Sequence, residues 1–209
     1  MIISYAESIM KPTAEIIETI YPKSTSYFLE HVQAKIAAGL YYEQQVYNTD
    51  GKAVVNKLAR NGLGVAIPDS FEESMLTYSL AYNYANENFN MKQGDSIMLS
   101  ESNLYVSYPG GGLELHTDDH VLTADGTKQF GINMQRGITL LVYLNTEFEG
   151  GDLYFPLQNK RIAPQVGKMV IFPSNKHFRH MVDPILSGSR CAYQRFYGIV
   201  NGASGTFIE

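Results

Sequence analysis

Hydrophobic positions recur at two different periods along this chain, and the change of period divides it near residue 95. Before that point the spacing is mostly helical. Pro12 suits the first turn of a helix carrying Ile16, Ile17 and Ile20. Ser24 to Ser26 can cap a second helix whose stripe is Phe28, Leu29, Val32, Ile36 and Ala37. Tyr41 to Tyr47 reads as a strand ending in an Asn48-Thr49-Asp50-Gly51 turn. Pro68-Asp69-Ser70 opens a third helix that continues to about Asn88.

From Ser102 onward the period is two. Strands are predicted at Asn103–Tyr108, Glu114–Asp118, Gly137–Asn145, Gly151–Phe155, Arg161–Ala163, Lys168–Phe172, His177–Val182 and Cys191–Ile199. Gly and Pro punctuate them, and Asp183 to Ser189 reads as a turn. Many short strands with such turns predict an α+β, mainly β fold: a jelly-roll (cupin-like, double-stranded β-helix) core over residues 102–199, with N-terminal helices from residues 1–95 packed on its outer sheet, all in a single domain of 1–209.

Composition narrows the chemistry. The 209 residues carry a formal net charge of -5 with no basic run, which argues against nucleic acid as a partner. No apolar run is long enough for a membrane-spanning helix, and the N-terminus lacks a signal-peptide pattern, so the expectation is a cytoplasmic protein. The single cysteine, Cys191, excludes an internal disulfide and any thiolate-rich metal site. A metal-based function must therefore use histidine and carboxylate ligands.

One such set is visible. His116 and Asp118, two apart in a predicted strand, face the same way. On its own this pair reads as readily as a polar strand end. His180 lies in a later strand and Arg190 begins the last, so an antiparallel pairing of the two would bring both to one cavity. Two histidines and one carboxylate leave three positions open on an octahedral ion, the facial triad of non-heme iron(II) oxygenases.

At these residues the sequence resembles the prolyl 4-hydroxylase-like group of 2-oxoglutarate- and Fe(II)-dependent dioxygenases. The resemblance covers Asn103 to Gly198 and rests on ordered blocks: Tyr108-Pro109-Gly110-Gly111-Gly112, His116-Thr117-Asp118, Arg136 through Tyr143-Leu144-Asn145, Gly150-Gly151 through Phe155-Pro156, Pro164 through Gly167, and His180 with Pro184, Gly188 and Arg190. It implies iron ligation by His116, Asp118 and His180, with His180 preferred over His177 because only His180 has the family spacing to Arg190. Arg190 and Tyr143 would hold the far carboxylate of 2-oxoglutarate, and Tyr108 would also contact it. Strand parity adds Thr139, Leu141, Val182, Ala192 and Gln194 to the lining of that site.

The implied reaction consumes 2-oxoglutarate and O2, with ascorbate as an optional reductant, and hydroxylates a prolyl residue of a peptide or protein, or a free amino acid. Retention of Asp118 fits hydroxylation; related halogenases lack this carboxylate. A metal-dependent jelly-roll module that binds a sugar or another small molecule is the alternative. A nucleic-acid demethylase is disfavoured, because Phe196 stands where a second arginine would be. Leu113 departs from the family, many members having an aromatic residue there. Asp119, on the opposite strand face from Asp118, is expected to be a solvated or supporting carboxylate. His120 is expected to be an exposed loop histidine, His31 structural or exposed, Cys191 an inert core residue, and Arg136 either a substrate contact or a strand-edge charge. The 119–135 segment, with Asp125-Gly126-Thr127 and Gly131, is read as a substrate-covering loop.

Overall fold

A computed structural model describes residues 9–47, 53–57, 60–67, 70–119, 121–122, 128–129 and 136–204. In chain order its strands are β1 (Ile17–Ile20), β2 (Tyr42–Glu43), β3 (Val46–Tyr47), β4 (Ala53–Val54), β5 (Gly62–Val65), β6 (Ser96–Ser107), β7 (Leu113–His116), β8 (Val121–Leu122), β9 (Lys128–Gln129), β10 (Ile138–Tyr143), β11 (Phe148–Gly150), β12 (Leu153–Phe155), β13 (Lys160–Ile162), β14 (Lys168–Pro173), β15 (His180–Val182), β16 (Ile185–Gly188) and β17 (Arg190–Val200). Two helices, α1 (Ser26–Ala37) and α2 (Phe71–Asn88), precede β6.

The core is a double-stranded β-helix of antiparallel strands. A seven-stranded sheet runs β1-β14-β10-β17-β6-β5-β2 and a four-stranded sheet runs β13-β12-β15-β7. Every residue of β10 is buried, because both faces of the large sheet are covered. One face carries Leu141, Tyr143, Val170, Phe172 and Ala192 against Leu153, Phe155 and Ile162 of the small sheet. The other carries Leu140, Val142, Cys191, Tyr193 and Tyr197 against the helices. Phe28 of α1 stacks on Tyr193 at 4.6 Å between ring centroids. On α2, Ser70 caps the N-terminus by accepting from the Glu73 amide at 3.1 Å, and Ala81 and Ala85 allow close approach to the sheet. Arg195, fully buried on this outer face, donates to Thr77 at 3.1 Å and Ser74 at 3.3 Å on α2.

Several expectations are corrected. Ile16 to Ile20 does not form a helix. Its β-branched residues make edge strand β1, with Ile17 opposite Ile171 and Ile20 opposite Lys168. Among the described residues the N-terminal part therefore has two long helices interleaved with strands, and β1, β2 and β5 complete the large sheet. Tyr41 to Tyr47 splits into β2 and β3, and its turn lies outside the described residues, as do Pro68 and Asp69. Asp183 to Ser189 is not simply a turn: it contains β16, which pairs with β11. His177 sits in a short 3-10 turn, Lys176–Phe178, outside the following strand.

Candidate active site

The geometry begins at the end of β7. His116 is the last residue of that strand and pairs with His180 on β15. Asp118 lies beyond the strand, so the parity argument needs replacing. Its position comes instead from backbone bonds: the amides of Asp118 and Asp119 both donate to the Ser174 carbonyl, at 3.0 and 3.1 Å. Ser174 directly follows β14, so the large sheet anchors the carboxylate that the small sheet's histidines face.

His116 Nε2 lies 3.5 Å from Asp118 Oδ1, and His180 Nε2 lies 3.6 Å from Asp118 Oδ2. One potential ligand atom from each residue falls within 4.8 Å of the other two. The opposite ring nitrogens contact main-chain carbonyls, His116 Nδ1 with Glu114 at 2.8 Å and His180 Nδ1 with Phe178 at 3.0 Å. Carbonyls accept only, so both Nδ1 atoms carry the proton and both Nε2 lone pairs turn toward Asp118. Thr139 donates to Asp118 Oδ2 at 2.7 Å and contacts the Ser174 hydroxyl at 2.8 Å.

Electrostatics agree with that assignment. Burial, helped by the neighbouring His116, pushes His180 down to about 4, so its imidazole is neutral near pH 7. Phe172 and Phe155 form the apolar wall, with ring centroids 4.9 and 5.3 Å from His180. Burial would raise the Asp118 carboxyl, but His180, His116 and Arg136 outweigh it and hold the group well below the usual carboxylate range. Two imidazole nitrogens and one carboxylate fit a divalent ion that keeps open positions.

Arg190 and Tyr143 come from neighbouring strands of the large sheet. The guanidinium is buried and lies 5.1 Å from the Tyr143 ring centroid. Arg190 Nε has no hydrogen-bond partner among the described residues, and the Tyr143 hydroxyl, beside the guanidinium, has no acceptor for its proton there. Burial keeps the Tyr143 hydroxyl protonated, with the Arg190 charge opposing the shift. Unsatisfied buried donors beside a fixed cation suit the carboxylate of a small anion. Arg190 and His180 are not hairpin partners, as β17 belongs to the large sheet and β15 to the small one.

The remaining expected residues divide. Leu141, Ala192 and Val182 share the inter-sheet cluster with Tyr143. Gln194 is half-buried, opposite Leu141 and Asn103. Thr139 faces inward but directs its hydroxyl to Asp118. Tyr108 packs against the outer cluster near Cys191 and Tyr41 and follows Ser107, which is opposite Arg190. Asp119 is buried, not solvated. His31 is at the surface, its Nε2 3.0 Å from the Ala66 carbonyl. His120 and most of the 119–135 segment, including Asp125-Gly126-Thr127 and Gly131, lie outside the described residues.

Two contributors had not been expected. Ser174 has only a neighbouring Pro173 to mark it. Glu101 pairs with Arg136, which donates to the Asp118 carbonyl at 3.3 Å and lies over Phe196 at 3.9 Å. Arg136 is thus tied into the wall beside Asp118, which accounts for its charge without a substrate.

A jelly roll that gathers two histidines and a carboxylate at one end is the architecture of mononuclear metal oxygenases. Residues 102–198 match the model of the 2OG-Fe(II) oxygenase superfamily. Over 89 residues the chain is 32% identical to a putative prolyl 4-hydroxylase of Acanthamoeba polyphaga mimivirus, an alignment covering 37% of each chain. Over 87 residues it is 33% identical to prolyl 3-hydroxylase 1 of Gallus gallus, covering 38% of this chain and 12% of that one. The alignments therefore span well under half of these relatives.

Among solved structures, a Trichoplax adhaerens prolyl hydroxylase in complex with a hypoxia inducible factor oxygen degradation domain peptide fragment superposes with a TM-score of 0.67 at 20% identity, covering 89% of this chain and 84% of that one. A Pseudomonas putida prolyl-4-hydroxylase gives 0.59 at 15% identity, covering 89% and 94%. These likenesses establish the shared fold. Among the described residues no helix is long and apolar enough to cross a membrane.

Proposed function

We propose that this protein is a 2-oxoglutarate- and Fe(II)-dependent oxygenase that hydroxylates a C–H bond of a prolyl residue in a peptide or protein, or of a free amino acid. One observation carries this reading: the Nε2 atoms of His116 and His180 meet the Asp118 carboxylate beside the unsatisfied donors of Arg190 and Tyr143. A binding module that merely held a ligand through a metal would not need that second set of donors.

When bound, the iron couples decarboxylation of 2-oxoglutarate by dioxygen, giving succinate and carbon dioxide, to oxygen insertion into the substrate C–H bond. His116 and His180 provide nitrogen ligands, and Asp118 provides an oxygen ligand and one negative charge. Thr139 and Ser174 fix the rotation of that carboxylate. Arg190 balances the far carboxylate of the co-substrate and Tyr143 donates to it. Phe155 and Phe172 keep water from the His180 side.

The test uses iron-loaded protein, 2-oxoglutarate and labelled dioxygen with prolyl peptides and free amino acids. One labelled oxygen is expected in succinate and one in the hydroxylated product. Failure of metal-loaded, folded protein to bind or consume 2-oxoglutarate would overturn the reading.

A further inference from the structure

Inward-facing positions of the large sheet continue in register beyond the site. Tyr143 on β10 is opposite Ala192 on β17, Ala192 is opposite Tyr105 on β6, Tyr105 is opposite Gly64 on β5, and Gly64 is opposite Tyr42 on β2. A Cβ at Gly64 would collide with the Tyr42 ring, so the glycine is what lets that ring lie across β5. Just before β5, Arg60 places its guanidinium 5.0 Å from the Tyr105 ring centroid.

Arg60 is half-buried and has no carboxylate partner among the described residues. The neighbouring acid, Glu101, is already engaged by Arg136 and by Asn103 Nδ2 at 2.7 Å. Among the described residues the Arg60 guanidinium therefore lies on an aromatic wall without a carboxylate of its own. Half-burial weakens screening, and the Tyr105 face fixes the plane of the guanidinium.

The mount is firm. Asn61, the next residue, accepts from the Tyr108 amide at 2.8 Å and donates through Nδ2 to the Pro109 carbonyl at 2.9 Å. Gly111 passes so close to Asn61 that a Cβ would stand 2.6 Å from its carbonyl. This turn leads into β7 and so to His116. The segment holding Arg60 is thereby fixed to the lead of the metal-facing strand.

We propose that Arg60, backed by Tyr105 and Tyr42, is a specificity subsite for a carboxylate of the substrate; this rests on the oxygenase reading above. Guanidinium and carboxylate pair as a fork. Two strand spacings separate Tyr105 from Tyr143, roughly 10 Å across the sheet. An acidic side chain two or three residues from the target, at about 3.3–3.6 Å per extended residue, spans that separation. The α-carboxylate of free proline lies within about 4 Å of its own ring carbons and does not span it, so free proline is the short control.

The experiment compares blocked peptides Glu-Ala-Pro and Pro-Ala-Glu with their Gln counterparts, and free L-proline with L-prolinamide. Each is titrated calorimetrically, without oxygen, into iron- and 2-oxoglutarate-loaded wild type, Arg60→Gln and Arg60→Lys. Wild type is expected to bind at least one carboxylate peptide about tenfold more tightly than its amide, the scale of one charge-assisted pair. Arg60→Gln should erase that ratio and Arg60→Lys should keep part of it, with 2-oxoglutarate affinity unchanged in both. Discrimination in the peptide pairs identifies an acidic side chain; discrimination only with proline contradicts the spacing and overturns the subsite. Equal binding within every pair, or a ratio that survives Arg60→Gln, overturns the subsite. If 2-oxoglutarate does not bind, the oxygenase reading fails, and the same titrations on the unloaded protein still decide the role of Arg60.

Discussion

Thr139 donates its hydroxyl to Asp118 Oδ2 over 2.7 Å, joining a central strand of the large sheet to a carboxylate 21 residues earlier in the chain. The bond leaves Oδ1 toward His116 and sets the rotation of the group. Thr139→Val keeps the side-chain shape and removes the donor. Metal affinity is expected to fall 10- to 100-fold, roughly the cost of losing an orienting partner, while the circular dichroism spectrum stays that of wild type. Metal titration against a competing chelator measures it.

Arg190 and Tyr143 should separate by magnitude. Both donate to a carboxylate, a bond of about 1.5–3 kcal/mol, but Arg190 can make two as a fork while Tyr143 makes one. Tyr143→Phe should therefore weaken 2-oxoglutarate binding by roughly 10- to 150-fold, and Arg190→Gln by more. Neither should change affinity for the metal alone. Equal effects of the two variants would show that the guanidinium is not the principal contact.

The Cys191 thiol provides a pH test away from the metal ligands. Burial pushes it up to about 11, with the nearby Arg190 charge opposing. A folded-state value above the unfolded one means that the contribution to stability is complete below the unfolded value, near 8.5. It is lost as pH rises through about 11. Alkylation by iodoacetamide should be negligible at pH 8 in native protein and rapid in denaturant. Cys191→Ala should remove the corresponding part of the alkaline fall in melting temperature.

Gly150 tests the ribbon formed by β11 and β16. Its φ is 80°, and a Cβ there would meet the Pro184 carbonyl. Gly150→Ala combines a left-handed backbone penalty of about 1–2 kcal/mol with overpacking of about 1–3. A loss of about 2–5 kcal/mol in chemical denaturation is expected. A loss below 0.5 would mean that the ribbon shifts freely.

The sequence disclosed the site better than the frame that carries it. His116, Asp118 and His180 were legible through spacing and ordered family blocks, although Asp118 reaches its place past the strand end, held by Ser174. No local pattern marks Ser174 or Glu101, because their roles depend on which strands become neighbours. Ile16 to Ile20 shows the same limit at the level of elements. Its spacing allows a helix, and only pairing with β14 decides for a strand. Arg190 and His180 were expected across a hairpin, since intervening residues resembled a turn; β16 and its partner β11 are joined by contacts 35 to 40 residues apart.

His180 and Arg190 stand on different sheets, and those sheets pack on each other through Leu153, Phe155, Val170 and Phe172 beside the site. The metal pole and the anion pole of the site are thus the two jaws of a caliper whose opening is set by hydrocarbon thickness. A methylene gained or lost in that packing would change the reach between them while every polar residue kept its identity. Divergent relatives could tune how tightly they grip the same small diacid through residues that touch neither end of it.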